Sequence, residues 1–466
     1  MNVKSLKNKF IGDKKFYLRV IAIVVPMIIQ NTITNVVSLV DNIMVGSIGT
    51  LQMSAVAIDN QLIFVFSLCI FGGLAGAGIF STQYAGAKDD DGVRYCFRMK
   101  AIIGVLMLVF AAVIFTVFPE NLISSYLAEG TSAKDASDTM KYALDYLEIM
   151  LIGLIPFTIS QVFSSTLREL GETKLPMYAS IVAIVVNLTL NYFLIFGKCG
   201  FPYLGVKGAA TATTISRCIE ATIVVAVTFI KKQKFTFIKG AFKSLYIPSK
   251  LFKDILTKGM PLLVNEFLWS AGMAVLLQCY SVRGLEVVAA VNIANTINNI
   301  FNVVFISIGT SVGIIVGQQL GADKIEEAKT SVWRLIALSI ATCFVMGSIM
   351  ALISPVVPNI YNTEPHVRQM ATKFLLSIAA FMPIFSFSHC CYFTLRSGGR
   401  TIITFVFDSL FTWGIVVPFA YCLARFTSMP IIPMYIAVQS LEFVKSIVGF
   451  IFIKKGLWIR NIVGDK

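Results

Sequence analysis

The chain has 466 residues, 56% of them hydrophobic and only 14% charged, with a mean hydropathy of +0.79. A soluble fold needs about a quarter of its residues charged to cover its surface, so a water-soluble chain is excluded and the protein must live in lipid. Two histidines, His366 and His389, and nine cysteines without a Cys-x-x-Cys pair speak against zinc, haem attachment and a disulfide framework, and no cofactor is expected.

In chain order, twelve mainly apolar segments begin near Phe16, Leu51, Ala101, Tyr142, Pro176, Val206, Asp254, Val287, Val332, Val367, Ile402 and Met429. Each approaches the roughly 20 residues a helix needs to span a bilayer. They are too long and too uniformly apolar for barrel strands of about 10 alternating residues, so the expected fold is an all-α integral membrane protein. The first run outlasts a signal-peptide h-region, contains Pro26 and polar residues, and meets no small-residue cleavage site; it is expected to remain as a span.

The net charge of +14 is not a nucleic-acid footprint, because the basic residues fall in alternate breaks between apolar runs. Lys4, Lys7, Lys9, Lys14, Lys15 and Arg19 open the chain, and Lys88, Arg94, Arg98 and Lys100 follow the second run. The break Gly46 to Gln52 is uncharged, and Pro119 to Lys141 carries Glu120, Glu129, Asp135 and Asp138 beside Lys134 and Lys141. This is the positive-inside pattern. With Lys454, Lys455, Arg460 and Lys466 closing the chain, it predicts cytoplasmic N- and C-termini in a multi-pass cell (inner) membrane protein. Residues 231–253 read as a basic cytoplasmic connector, with Lys231, Lys232, Lys234, Lys239, Lys243, Lys250 and Lys253 interleaved with Phe235, Phe237, Phe242 and Leu245. A surface drawn to anionic headgroups is the sharper alternative.

The connector sits at the midpoint of a duplication. Pro26 and Pro261, Val56 and Val291, Gly78 and Gly313, Gln83 and Gln318, and Gly86 and Gly321 are all 235 positions apart. Leu167-Arg168-x-x-Gly171-x-Thr173 recurs 228 positions on as Leu395-Arg396-x-x-Gly399-x-Thr401. The expected domains are therefore six-helix bundles at 1–230 and 254–466. An even number of spans per repeat gives both the same orientation, as suits alternating access about a mid-membrane site.

Charges inside spans are costly and are functional candidates by default. Asp41 stands out in the first span, beyond Pro26 and Gln30, on a helix whose Asn31, Thr34, Asn35 and Ser38 share one face. A partly desolvated carboxylate there can exchange a proton near neutral pH or supply charge to sodium; the competing reading is a carboxylate at the extracellular headgroups. Asn187 and Asn191, one helical turn apart on the fifth span, offer hydrogen bonds to Asp41 or oxygen ligands to a hard cation, and read equally as packing polars. On the sixth span Thr211 is a further candidate oxygen, although it, Thr213 and Thr214 also suit packing, and Arg217 and Glu220 should neutralise each other. In the second half Asn265 and Glu266 follow Pro261, and Asn292, Asn295, Asn299 and Asn302 form a helical stripe facing water or a substrate cleft. Glu266 competes with a structural ion pair; Asp408 and the Glu442–Lys445 pair read as structural, and His389 as a satisfied core histidine.

Pro26 with Asp41-x-x-x-Val45-Gly46-x-x-Gly49, Gln83-Tyr84-x-Gly86-Ala87, Gly208-Ala209-Ala210-x-Ala212-Thr213 and the paired Leu-Arg motifs resemble the multidrug and toxic compound extrusion family, and most closely its prokaryotic DinF-like branch. The resemblance covers nearly the whole chain. It implies a cation-coupled antiporter, not an enzyme, exporting cationic amphipathic drugs or toxic metabolites in exchange for protons or sodium. It further implies that Asp41 is the coupling carboxylate, that Pro26 is the hinge that lets its helix bend, and that sodium would sit at Asp41, Asn187 and Asn191. Gln30, Asn31, Asn35, Asn265, Glu266, Asn292 and Asn295 are the expected cleft residues, and a monomer in the bilayer, with no nucleic-acid partner, is the expected state. The branch often carries Asp where Asn191 stands, so one cation-binding carboxylate is missing and the coupling ion stays open. The alternative is a flippase for lipid-linked saccharide precursors, whose phosphates would call for cationic groups in the cleft. An enzyme lacks a nucleophile-base constellation here.

Overall fold

The computed structural model describes residues 10–127, 132–361 and 363–464. The basic residues Lys4, Lys7 and Lys9, Glu129 and the closing Lys466 lie outside them. Twelve helices long and apolar enough to cross a membrane are present among the described residues, at the twelve places expected. They are α1 (Lys14–Gly46), α2 (Thr50–Ala87), α3 (Asp90–Val117), α4 (Ala133–Glu169), α5 (Lys174–Phe196) and α6 (Val206–Ile230) in the first half. The second half holds α7 (Ser249–Ser281), α8 (Leu285–Gly321), α9 (Ile325–Ile353), α10 (Pro365–Ser397), α11 (Thr401–Phe426) and α12 (Ile431–Lys454). Helices are what a lipid solvent permits, because every backbone donor must find its acceptor inside the chain. α11 departs from regularity, with π-helical turns at Val406–Leu410 and Thr412–Val416.

Several helices outrun their apolar stretches. α3 begins at Asp90 rather than near Ala101, and two arginines of its early turns are held by the connector. Arg98, buried, donates to the carbonyls of Ala241 (2.8 Å), Tyr246 (2.8 Å) and Gly240 (2.9 Å), and Arg94 donates to that of Phe237 (3.2 Å). The basic connector is thus a docked segment. Its lysines face outward while Phe235, Phe237, Ile238 and Ala241 are buried, and Phe97 meets Phe163, Phe237 and Phe242 with ring centroids 5.0 to 5.8 Å apart.

Contacts gather the chain into two units, and the division falls within α1, α2 and α7. One unit holds Ile29–Ser81 and Asp90–Ile255. Its core includes Val45, Val56, Tyr146, Met150, Ile195, Val206, Ala209 and Ala210. The Gly208-Ala209-Ala210-x-Ala212 run explains itself here: a Cβ on Gly208 would stand 2.6 Å from the carbonyl oxygen of Leu194, so small residues let α5 and α6 approach closely. The other unit holds α1 up to Ile28, Thr82–Asp89 and the chain from Leu256 onward. Its core gathers Val291, Phe301, Phe374, Met382 and Tyr435 in one cluster, and Val20, Ile315, Leu335, Leu395 and Trp458 in another.

The repeated Leu-Arg motifs fold alike. Glu172 N–H donates to Leu167 O (2.9 Å) and Arg400 N–H to Leu395 O (3.4 Å), closing α4 and α10 with the same terminal turn. Gly171 (φ +84°) and Gly399 (φ +70°) occupy the left-handed position that such a turn requires.

Candidate cation site and its repeat counterpart

Asp41 lies in the last two turns of α1, half-buried. Its Oδ1 accepts a 2.6 Å hydrogen bond from Asn191 Nδ2. The same nitrogen reaches Asn187 Oδ1 at 3.2 Å, and Asn187 Nδ2 donates to Thr213 Oγ1 at 3.2 Å. Three helices, α1, α5 and α6, thus converge on one carboxylate. The convergence follows from spacing: Asn187 and Asn191 are one turn apart, so a single face of α5 presents both. Asn191 Oδ1 is buried without a hydrogen-bond partner among the described residues, leaving an amide oxygen beside the carboxylate. Carboxylate, amide and hydroxyl oxygens are the donors a hard cation prefers, and a carboxylate so placed also suits a proton.

Thr211 stands outside this network. Its hydroxyl donates to Lys207 O within its own helix (2.7 Å), and Thr213, two residues on and so on a different face, meets Asn187 instead.

Deeper in the same unit, Gln30 is buried at 8% exposure and donates from Nε2 to Ser180 Oγ (2.7 Å) while its Oε1 accepts from Arg168 (3.1 Å). Ser180 passes the bond to Glu220 Oε1 (2.6 Å), and Arg217 closes on Glu220 Oε2 (3.0 Å), the pairing expected of that i, i+3 couple. Asn31 and Asn35 are half-buried on the neighbouring part of α1.

The second half repeats this skeleton. Asn265 is 235 positions from Gln30 and Asp408 is 228 from Ser180, the two registers of the duplication, and Asn265 Nδ2 donates to Asp408 Oδ2 (3.0 Å). Lys445 and Glu442 stand 225 positions after Glu220 and Arg217. Lys445 Nζ donates to Asp408 Oδ1 (2.7 Å) with Glu442 at 4.0 Å, so the i, i+3 couple is kept with its charges exchanged. Ser409 donates to Asn265 Oδ1 (2.6 Å), and Glu266 accepts from Tyr392 (3.3 Å). His389 contacts its own helix at Phe385 O (3.3 Å) and meets Phe305 edge-on, 4.8 Å between ring centroids. Asn292, Asn295 and Asn299 are exposed on α8, on a different side from its core residues Val291, Ala294 and Ile297.

Sequence reasoning missed Arg168, Ser180 and Thr213 as partners, since nothing in a single span announces which residue of another will face it. It also missed Asp59, which its own criterion of charges inside spans picks out, and it left Lys100 in the break before the third span. Lys100 is fully buried against Glu169 (2.5 Å), and Asp59 is fully buried in α2.

A family model, MatE, matches residues 26–193 and 261–422. The probable multidrug resistance protein NorM of Thermotoga maritima is 25% identical over 446 residues, covering 95% of this chain and 93% of that one. The probable multidrug resistance protein YoeA of Bacillus subtilis is 25% identical over 425 residues, 88% of each. A structure of an outward-facing multidrug resistance MATE family transporter of the MOP superfamily, 20% identical, superposes with a TM-score of 0.85 over 98% of both chains.

Proposed function

Because the chain belongs to the MatE family, whose members are multi-pass membrane transporters and not enzymes, we propose that it exports cationic amphipathic drugs or toxic metabolites by cation-coupled antiport. The observation that carries this reading is the Asp41–Asn191 bond, a carboxylate inside a span held by an amide on another. The NorM and YoeA relatives, named as probable multidrug resistance proteins, support drugs as the cargo. In the cycle, a proton or sodium taken up at Asp41 competes with cationic cargo, and Asn191, Asn187 and Thr213 orient the carboxylate and offer oxygen to sodium. Pro26, which removes one hydrogen bond from the interior of α1, gives that helix a place to bend. Coupling then follows from the different affinities of cation and cargo for the two states. The membrane is the inner, or cell, membrane with both termini cytoplasmic, and the working unit is a monomer.

A flippase for lipid-linked saccharides would need cationic groups open to phosphate. Lys100, Arg217 and Lys445 are instead engaged by Glu169, Glu220 and Asp408.

The test is ethidium transport in proteoliposomes, driven separately by pH and by sodium gradients, with Asp41→Asn in parallel. Transport driven by one gradient and lost in the folded variant is the expected result; undiminished efflux in Asp41→Asn would remove the assignment.

A further inference from the structure

Asp59 sits nine residues into α2, about 14 Å of helix rise from its start. It is 0% exposed, and neither carboxyl oxygen has a hydrogen-bond partner among the described residues. Val56 and Ile63, one turn to either side on the same helix face, belong to or pack against the apolar cluster of Val45, Tyr146, Met150, Ile195 and Val206, to which α1, α4, α5 and α6 contribute. Among the described titratable side chains, Tyr146 on α4 is within electrostatic reach of Asp59, and it is reached in turn by Asp41 on α1 and Arg217 on α6. Tyr146 donates a long 3.5 Å bond to Asn60, which is exposed.

An ionised carboxylate enclosed without a donor or counter-charge is far more costly than its neutral acid, so this enclosure accommodates the acid. The neutral acid is still a poor occupant of a packed apolar face, because its polar atoms lose water and gain nothing. An unsatisfied buried group calls for an explanation, and a second state in which it meets water or a partner supplies one. Tyr146 lies near both carboxyls, which places Asp59 in the same electrostatic neighbourhood as Asp41.

We propose that Asp59 is a second proton-binding carboxyl of the transport cycle. It takes a proton from water on one side of the membrane, holds it in the enclosed state described here and gives it to water on the other side when the helices around it part, so that a proton-driven turnover moves two protons, one at Asp41 and one at Asp59. The transport consequence rests on the antiport reading; the protonation change does not.

Two measurements keep these apart. Infrared difference spectra of the reconstituted protein, cycled between acid and alkaline buffer without substrate, should show protonated-carboxyl bands that lose one component in Asp59→Asn and a different one in Asp41→Asn, and that shift in Asp59→Glu. Proton-to-ethidium stoichiometry from balance-point gradients should fall from two to one in Asp59→Asn. An unchanged carboxyl difference spectrum in folded Asp59→Asn overturns the proposal, and so does an unchanged stoichiometry. Failure of the wild type to move any cationic dye would count against drug export while the spectra still decide Asp59.

Discussion

Gly86 and Gly321, 235 positions apart in the duplication, close on each other's repeat: a Cβ on Gly86 would overlap the main-chain oxygen of Gln318, and one on Gly321 would overlap that of Gln83. Backbone cannot step aside as a side chain can. Gly86→Ala and Gly321→Ala are each expected to cost about 1–3 kcal/mol or more, read as a lowered unfolding midpoint in detergent. An unchanged midpoint in both would mean that the helix ends do not approach so closely.

Asn191→Asp places a second carboxylate at the atom that now bonds Asp41. Two facing carboxylates repel unless a cation or proton lies between them, so sodium should raise this variant's unfolding midpoint more than it raises that of the wild type. Equal stabilisation by sodium and by potassium in the variant would argue against a cation site there. Asn191→Ala removes the donor and should weaken whatever coupling Asp41 provides.

Lys445 lies between Asp408 and Glu442 with about 13% of its side chain exposed. Removing one partner of a buried pair is worse than removing both, so Lys445→Met should cost about 3–5 kcal/mol, and Lys445→Met with Asp408→Asn should recover much of it. Thermal unfolding of the two variants side by side decides: equal losses would mean that the ion pair is not what holds α11 to α12.

Arg98 grips the connector by three carbonyls. Hydrogen bonds to a charged donor contribute about 1.5–3 kcal/mol each, so Arg98→Ala should loosen residues 231–253 and speed tryptic cleavage after their exposed lysines, with α3 itself intact. Cleavage at the wild-type rate would show that the buried aromatic residues alone dock the segment.

Much of this protein was legible from its sequence. Twelve spans follow from hydropathy because lipid leaves the backbone no partner but itself, and each span can be judged from its own residues. The duplication was visible as constant offsets, and Asp41 and the Asn187–Asn191 pair as polar residues where lipid tolerates few. The same rule would have found Asp59 had it been applied to every span; Lys100 escaped it because hydropathy starts the third span at Ala101, whereas the helix begins at Asp90. What the tertiary structure alone decided is which polar residue meets which: Thr213 rather than Thr211 on Asn187, Arg168 on Gln30, Arg98 on the connector. Those choices depend on how neighbouring helices are rotated and how closely small residues let them pack, and a rotation of half a turn exchanges one threonine for another without changing the hydropathy of either helix.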